Sequence, residues 1–416
     1  MGPNRKATLI LTMFFACALV PSLSAQQTLE PDQLPLSSSA SAHGGYLRVP
    51  PRLLGPNPAT AAVAAALAPD TVATFSGSYV TGPVTARQHW SFTMIGHGPS
   101  LAATTTINAP IIPVSLDLRN ADGTPRFVNG HRLFYDVTPF IAPLLASPMF
   151  QNAIYSSSSR ATQFQDAVQR AEFFHSAPSG WHTLLKPVVK AKRVMTLLAG
   201  SYKFATKSDG SCCAYVLVDS STFVGKLLPP STTDTKTVVG AALHAGNITT
   251  KDLATFFFPN TFLFSGTQNF FIVGFHTFLS EPGNTLNGNR QKQFVLNFSS
   301  WVTPFVFFGD AFQDVTAVSH EVAESVNDPF LGNTTPWWKA PNGQCQNVLE
   351  TGDVVEDLPN ATFPVVLKGK AYHPQNEALL EWFERQKPSH ALGAAYSYPD
   401  EKLLISLSPL EKPGCP

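Results

Sequence analysis

Three strongly apolar stretches in the middle of the chain limit the possible folds more than any other feature. They read ATFFFPNTFLF at residues 254–264, NFFIVGFHTFL at 269–279 and QFVLNFSSWVTPFVFFGD at 293–310. Each is interrupted by Pro, Gly or Asn and is too short to cross a membrane as an uninterrupted helix. Runs of this kind are typical of strands that are buried on both faces. We therefore predict a strand-rich core built around these three segments.

The first residues have the order of a secretory signal peptide. Arg5 and Lys6 form a positive head, an apolar run follows, and small residues end at Ala25. We predict a signal peptide over residues 1–25 with cleavage near Ala25, so that the mature protein is secreted or periplasmic. Lipoprotein cleavage before Cys17 is a minor alternative. No later stretch is long and apolar enough to span a membrane, so we expect no membrane association after signal removal.

The chain carries few charges, and the charges balance. Charged residues make up 13% of the sequence, with 28 basic and 28 acidic residues, whereas about 25% are charged in a typical soluble domain. There is no basic run, so nucleic acid is not an expected partner. The 35 Pro and 31 Phe residues indicate many loops and strands and disfavour a helical bundle.

The composition changes along the mature chain. Residues 26–73 are rich in Pro, Ser and Ala, which predicts a flexible leader that can be partly packed. Residues 74–240 have strand signals bounded by Gly and Pro, and residues 241–416 contain the apolar stretches and one strongly patterned helix. We therefore predict an α+β protein, in which a β-rich N-terminal portion packs on a C-terminal portion with a mixed sheet.

Shorter patterns predict individual elements. Asn129-Gly130 between apolar runs predicts a hairpin turn, and residues 249–252 resemble a helix-starting capping box. Helices are predicted at residues 161–175 and 375–386, and strands at 194–197, 214–218 and 237–243.

Four cysteines remain after signal removal, namely Cys212, Cys213, Cys345 and Cys415. An even number in an oxidising compartment permits two disulfides. Because adjacent cysteines would be strained if paired together, we expect Cys212 and Cys213 to reach Cys345 or Cys415, or some thiols to stay free. There is no CxxC spacing, so a thiolate zinc site is not expected.

One helix combines an apolar stripe with three ionisable side chains. Residues 310–329 read DAFQDVTAVSHEVAESVNDP, in which valines recur at helical spacing and Asn-Asp-Pro ends the pattern. His320 and Glu324 are four residues apart and lie on one face of the helix, with Glu321 one step around it. This is the HExxH layout of zinc hydrolases with the second histidine replaced by glutamate.

These residue types suit a metal-dependent hydrolase. In HExxH chemistry the first and last side chains hold one ion, and the intervening glutamate, here Glu321, acts as general base. Zinc accepts carboxylate oxygen, so His320 and Glu324 can both be ligands. The alternative is a solvated or ion-paired helix face, because HExxE is a short pattern.

The acidic segment ETGDVVED at residues 350–357 offers a third ligand. Glu350 is the first choice and Asp353 the second. The less favoured candidates are Asp328, which more simply ends the helix, His276, which can be a core histidine, and His373 and Glu377 near the last helix. Trp337 and Trp338, between the helix and the acidic segment, either wall a substrate cleft or anchor a loop.

The segment SHEVAESVNDP, followed by the two tryptophans and ETGD, resembles a group of exported bacterial proteins with a shared His-Glu-Leu-Ala-Glu segment. It is also distantly similar to the plant EXORDIUM-like (phosphate-induced) proteins. The resemblance covers about residues 310–353; His320, Glu321 and Glu324 match the motif positions, and Val322 stands where leucine is usual. It implies that residues 241–416 form a zincin-like portion. Much of the group has no assigned activity, so the resemblance implies a site more than a reaction.

We therefore expect a secreted zinc metallopeptidase-like hydrolase, with zinc held by His320, Glu324 and either Glu350 or Asp353. Its expected substrate is a peptide or protein, or a cell-wall or other extracellular polymer. The alternative is a non-catalytic secreted binding or cell-surface protein in which the motif forms an ion pair or holds a structural ion such as calcium.

Overall fold

The computed structural model describes residues 29–36, 43–54, 68–156, 160–266, 270–340, 343–388 and 390–415. The predicted signal peptide and its cleavage position lie outside the described residues. Within the described ranges, no helix is both long enough and apolar enough to cross a membrane.

A curled mixed sheet of twelve strands dominates the described part of the chain. In spatial order its main path is β10 (Arg193–Leu198), β5 (Thr104–Arg119), β13 (Leu253–Pro259), β16 (Lys292–Trp301), β15 (Phe270–Glu281), β14 (Thr261–Phe264), β12 (Tyr215–Asp219) and β11 (Tyr202–Ala205). Beside β15 lie β1 (His43–Tyr46) and β2 (Arg52–Leu53), and beside β5 lie β8 (Phe134–Tyr135) and β9 (His182–Val189). The protein is thus mixed α/β and strand-rich.

The other strands form two-stranded antiparallel pairs. These are β3 (Thr74–Thr81) with β4 (Gln88–Ile95), β6 (Phe127–Val128) with β7 (His131–Arg132), β17 (Thr334–Lys339) with β18 (Cys345–Val348), β19 (Val365–Leu367) with β20 (Lys370–Tyr372), and β21 (Glu377–Ala378) with β22 (Ser397–Tyr398). The helices are α1 (Thr138–Leu145), α2 (Phe164–Glu172), α3 (Ser220–Leu227), α4 (Val238–His244), α5 (Thr316–Asn327) and α6 (Leu380–Phe383), with 3-10 turns at Thr285–Asn287 and His390–Leu392.

Strands from all three apolar stretches form the centre of the sheet, as predicted, while residues 304–310 of the third stretch form turns and bends. Every residue of β13 is buried. Phe256 and Phe258 pack into one hydrophobic cluster, and Phe257 between them packs into a second cluster on the opposite face. Successive side chains of a strand point to opposite faces, so a continuous apolar run packs into the clusters on both faces of the sheet. Burying each phenylalanine contributes roughly 1.5–3 kcal/mol.

The edge of β15 is covered by chain from the predicted leader. β1 and β2 pair with β15 in parallel, and Tyr46, Val49 and Leu54 are buried. Residues 43–54 are therefore packed, and are not a loose leader. This agrees with the prediction that the leader can be partly packed, and the packed part holds several of the few bulky side chains in a segment otherwise rich in small residues. Strands from both sides of the predicted boundary at residue 240 share the large sheet.

Several local predictions are confirmed. The helix predicted at 161–175 is α2, and the hairpin turn has Asn129 and Gly130 at φ 50° and 78° between β6 and β7. The motif helix is α5.

Two local predictions are wrong because side-chain caps decided the structure. Residues 237–243 form helix α4, not a strand, since the Thr237 hydroxyl accepts the Gly240 N–H and caps the first turn. Residues 249–252 form a turn instead of a helix start. There the Asp252 carboxylate accepts both the N–H and the hydroxyl of Thr249, and the chain enters β13 directly. The helix predicted at 375–386 is reduced to the single turn of α6.

The expected pairing of Cys212 and Cys213 with Cys345 or Cys415 is wrong, whereas the alternative that some thiols stay free agrees with the structure. Cys212 and Cys213 are bonded to each other, across a cis peptide bond, and neither reaches Cys345 or Cys415. Cys345 and Cys415 are thiols that lie side by side, with Sγ of Cys345 3.1 Å from the Cys415 carbonyl oxygen.

Candidate metal centre

Helix α5 carries the motif into the interior of the protein. All twelve of its residues are buried, and the helix packs against β15 and β16. Val318, Val322 and Val326 enter a hydrophobic cluster below the sheet, so this stripe fixes the rotation of the helix. With that rotation fixed, His320, Glu321 and Glu324 lie beside the cleft described below.

His320 and Glu324 converge as the helical spacing predicts. Nε2 of His320 lies 2.9 Å from Oε2 of Glu324. Nevertheless, within the described residues neither ring nitrogen of His320 makes a hydrogen bond. The two atoms are therefore close without being aligned as donor and acceptor. Two side chains in this position could hold one ion.

The ETGD turn at residues 350–353 holds Glu324 and adds a donor. Oε1 of Glu324 accepts the backbone N–H groups of Gly352 and Asp353, at 3.2 and 3.3 Å. This leaves Oε2 directed at His320. Oδ1 of Asp353 lies 3.5 Å from Nε2 of His320, so His320, Glu324 and Asp353 form one set whose donor atoms all lie within 4.8 Å of one another.

A second donor set shares Glu324. His276, in the middle of β15, has its Nε2 2.9 Å from Oε2 of Glu350 and 3.9 Å from Oε2 of Glu324. His276, Glu324 and Glu350 satisfy the same 4.8 Å limit. Nδ1 of His276 and Oε1 of Glu350 have no hydrogen-bond partner among the described residues. Glu350 is thus brought to the centre together with His276, while Asp353 is the carboxylate beside His320.

The centre has more buried negative charge than its histidines can balance. Burial raises the pKa of Glu324 well above its usual range, and the charges of Glu350 and Asp353 raise it further. Burial alone would lower the pKa of His320, but Asp353 and Glu321 outweigh this effect and raise it to about 9. Buried carboxylates and imidazoles with unpartnered atoms fit a divalent cation, which would satisfy them together.

Glu321 faces the cleft without any protein partner. Both of its carboxylate oxygens are buried and lack a hydrogen bond within the described chain. Burial raises the pKa of Glu321 well above its usual range; the charge of His320 opposes the rise, and Glu324 adds to it. Gly274 makes room for this side chain, because a Cβ at that position would lie 2.5 Å from Oε1 of Glu321.

A cleft of about 340 Å³ opens onto the centre. Its walls are formed by Tyr46, Leu47, Arg48, Phe275, His276, Glu321, Glu324, Trp337, Gln344, Cys345, Gln346, Asn347, Glu350 and Asp353. The volume suits a small ligand or a few residues of an extended chain.

Tyr46 covers one face of His320. The two rings stack with centroids 3.2 Å apart and planes 10° apart, and the Tyr46 hydroxyl donates to Oε1 of Gln375 at 2.9 Å. Gln375 in turn donates to the Gly352 carbonyl at 2.8 Å. The packed leader strand and the ETGD turn therefore hold the His320 ring from two sides.

The two tryptophans have separate roles. Trp337 lines the cleft. Trp338 is buried, packs against Trp382 and Phe383, and donates its indole N–H to the Val348 carbonyl. The two sequence interpretations, cleft wall and loop anchor, apply to one residue each.

The remaining candidates lie around the centre. Asp328 accepts the N–H groups of Gly332 and Asn333, as a helix-ending residue does, and burial and Glu350 raise its pKa to about 7. Glu377 accepts the Thr351 hydroxyl at 2.9 Å, and burial raises its pKa to about 8. Neither residue belongs to a donor set.

His373 is a sequence candidate that lies outside the centre, whereas Tyr46 contacts His320 but is not predicted from the sequence. His373 pairs with Asp314 at 2.8 Å and belongs to neither donor set. Tyr46 was not a candidate, since it lies 274 positions before His320 and nothing in its neighbourhood marks it. His276 was a weak candidate, and its only signal was an ionisable residue inside an otherwise apolar strand.

Comparison with known proteins finds no match for this chain among family models, curated proteins or solved structures. The resemblance to exported His-Glu-Leu-Ala-Glu proteins stays a prediction, and the chemistry of the site carries the functional assignment.

Proposed function

We propose that this protein is a metal-dependent hydrolase of the zinc peptidase type that acts outside the cytoplasm. One observation carries the proposal. Oε2 of Glu324 has imidazole nitrogens at 2.9 and 3.9 Å, and the unpartnered carboxylate of Glu321 lies in the same cleft. Ligands, a candidate base and an opening to solvent therefore occur together.

The first donor set would hold the catalytic ion. His320, Glu324 and Asp353 supply one nitrogen and two carboxylate groups, a composition that zinc accepts. When bound there, zinc supplies a Lewis acid beside the cleft. The hydrogen bonds from Gly352 and Asp353 fix the Glu324 carboxylate, so that this ligand is oriented before any ion arrives.

Glu321 would act as general base and then as general acid. Its carboxylate accepts a proton from the attacking water and later donates it to the leaving amine. The site favours this shuttle because burial raises the pKa of Glu321 well above its usual range. A carboxylate with a raised pKa is a stronger base than an exposed glutamate, so it takes the proton from water more readily and holds it until the leaving amine accepts it.

The cleft walls suit an extended peptide. Trp337 and Phe275 offer apolar surface, and Gln346 and Asn347 offer amide groups that can pair with a peptide backbone. The signal-like first residues would deliver the enzyme to peptide or protein substrates outside the cytoplasm, or to cell-wall polymers.

The direct experiment compares Glu321→Gln with the parent protein. A mixture of fluorogenic peptides reports hydrolysis, and elemental analysis reports bound metal. We expect the variant to keep its metal and to lose activity by about 10²–10⁴-fold. Glu281→Gln is the matched control, because Glu281 lies at the far end of β15 and outside the cleft. Unchanged hydrolysis by Glu321→Gln would show that the proposed base is wrong.

A non-catalytic protein with a structural calcium ion is the second candidate. The excess of carboxylates around Glu324 favours it, because calcium prefers oxygen ligands. The imidazoles at 2.9 and 3.9 Å favour zinc. Calcium in protein purified without chelator, together with absence of hydrolysis, would decide for this candidate.

A further inference from the structure

The donors around Glu324 form two sets of the same composition. One contains His320 and Asp353, and the other contains His276 and Glu350. Each set has one imidazole and one carboxylate of its own, and Glu324 belongs to both. The two imidazoles fall into different sets, so they do not converge on a single point together.

We propose that this centre binds two divalent transition-metal ions bridged by the Glu324 carboxylate. The proposal rests on the proposed function and deepens it. His320 and Asp353 would hold the first ion, and His276 and Glu350 the second. Ions in two-metal hydrolase sites lie about 3.5–4 Å apart, a spacing that one carboxylate can bridge.

The acidic lining of the cleft provides the oxygen donors that cations need. Glu321, Glu324, Glu350 and Asp353 line it together, and a bound cation would relieve the repulsion between buried carboxylates. The number of ions follows from the two donor sets, each of which has its own imidazole and its own carboxylate.

The position of Glu324 also suits a bridging ligand. Its Oε1 is held by two backbone N–H groups of the ETGD turn, while Oε2 lies between the nitrogen atoms of the two histidines. The histidines come from different elements, α5 and β15, and so approach this oxygen from different directions. A single ion held by His320, Glu324 and Asp353 would leave His276 and Glu350 as a simple buried ion pair, with Nε2 2.9 Å from Oε2.

The test is metal stoichiometry of the full chain. Protein stripped with a chelator is titrated with Co²⁺, freed of unbound metal by gel filtration, and analysed for metal per chain. We expect two ions in the parent and one in either His276→Ala or His320→Ala. Exposed His89 lies on β4, so His89→Ala is the matched control and is expected to keep both ions.

Two further measurements distinguish loss of the second ion from misfolding of a variant and from a purely structural role of His276. Glu350→Gln preserves side-chain size, so it tests the second ion even if His276→Ala does not fold. Two Co²⁺ ions on one carboxylate are expected to show magnetic coupling, which a structural role for His276 would not produce. Glu324→Gln should abolish that coupling.

The outcomes separate this proposal from the proposed function. One ion per parent chain, unaffected by His276→Ala or Glu350→Gln, overturns the two-ion centre and leaves a one-ion hydrolase. Two ions without coupling overturn the bridge. No bound metal in the folded parent overturns both proposals.

Discussion

The contact between Gly352 and His320 allows the sharpest prediction about the site. A Cβ at residue 352 would overlap Nδ1 of His320 and would lie 2.5 Å from Cε1 and 2.8 Å from Cγ of the same ring. Since ordinary contacts of a methyl carbon begin near 3.4 Å, Gly352→Ala must move the ring or the turn by roughly 1 Å. The ring cannot retreat easily, because Tyr46 stacks on it with centroids 3.2 Å apart.

The expected cost has two parts. Overpacking of a buried contact costs about 1–3 kcal/mol of unfolding free energy. Displacing the turn also weakens the hydrogen bonds that hold Glu324, and loss of such supporting contacts lowers metal affinity by about 10–100-fold. Thermal unfolding without metal measures the first part, and zinc titration against a competing chelator measures the second.

Gly225→Ala is a control that should raise the stability of the protein, whereas Gly352→Ala should lower it. It lies inside helix α3, and a Cβ added there would have no atom within 4 Å. Gly225→Ala should therefore stabilise the protein by about 0.4–1 kcal/mol and leave metal binding unchanged. If Gly352→Ala melted like the parent and bound zinc equally well, the ETGD turn would not be packed against His320 as described.

Three other predictions follow from separate contacts. Burial raises the pKa of Glu381 to about 7, so folding favours its protonated form; stability from this group is full below the unfolded pKa of about 4.3 and is lost as pH rises to about 7. Glu381→Gln should therefore stabilise the protein by about 1–2 kcal/mol at pH 8 and have little effect at pH 4, as read from urea unfolding at both pH values. Tyr46→Phe removes the hydrogen bond to Gln375 and should cost about 1 kcal/mol, whereas Tyr46→Ala should cost about 3–5 kcal/mol and also weaken zinc binding. Cys345 and Cys415 lie side by side, so a non-reducing digest of protein from an oxidising compartment should yield their peptides linked, and alkylation of both thiols would contradict this.

The sequence predicted those parts of the fold that depend on local patterns. Apolar runs identified the central strands, because burial on two faces demands apolar side chains at every position, as in β13. Valine spacing located α5 and placed His320 and Glu324 on one face. Thr237 and residues 249–252 were misjudged because their structures depend on which side chain accepts a particular backbone N–H.

The geometry of the candidate site was predicted only where its members are close in sequence, whereas Glu350, Asp353 and His276 were named as candidates without a fixed position. His320, Glu321 and Glu324 share one helix, so their geometry follows from helical spacing. His276 and Tyr46 reach the centre only because β1 pairs with β15 and α5 packs on the same strand. Such contacts depend on strand pairing across more than 200 residues, which no periodicity in a single sequence encodes.

One feature of the sequence favours His276 as a site residue, and the same reasoning applies to other buried strands. An ionisable side chain inside a strand that is buried on both faces must find a partner, since an unpaired buried polar group costs about 1–3 kcal/mol. The residues next to His276 are Phe275 and Thr277, so a charged partner for its ring must come from another part of the chain. In the structure these partners are Glu350 and Glu324, both of which belong to the motif segment. A histidine in a strand buried on both faces needs a partner, and the acidic turn after the motif helix needs a partner for its carboxylates. His276 is therefore a better ligand candidate than its sequence surroundings indicate.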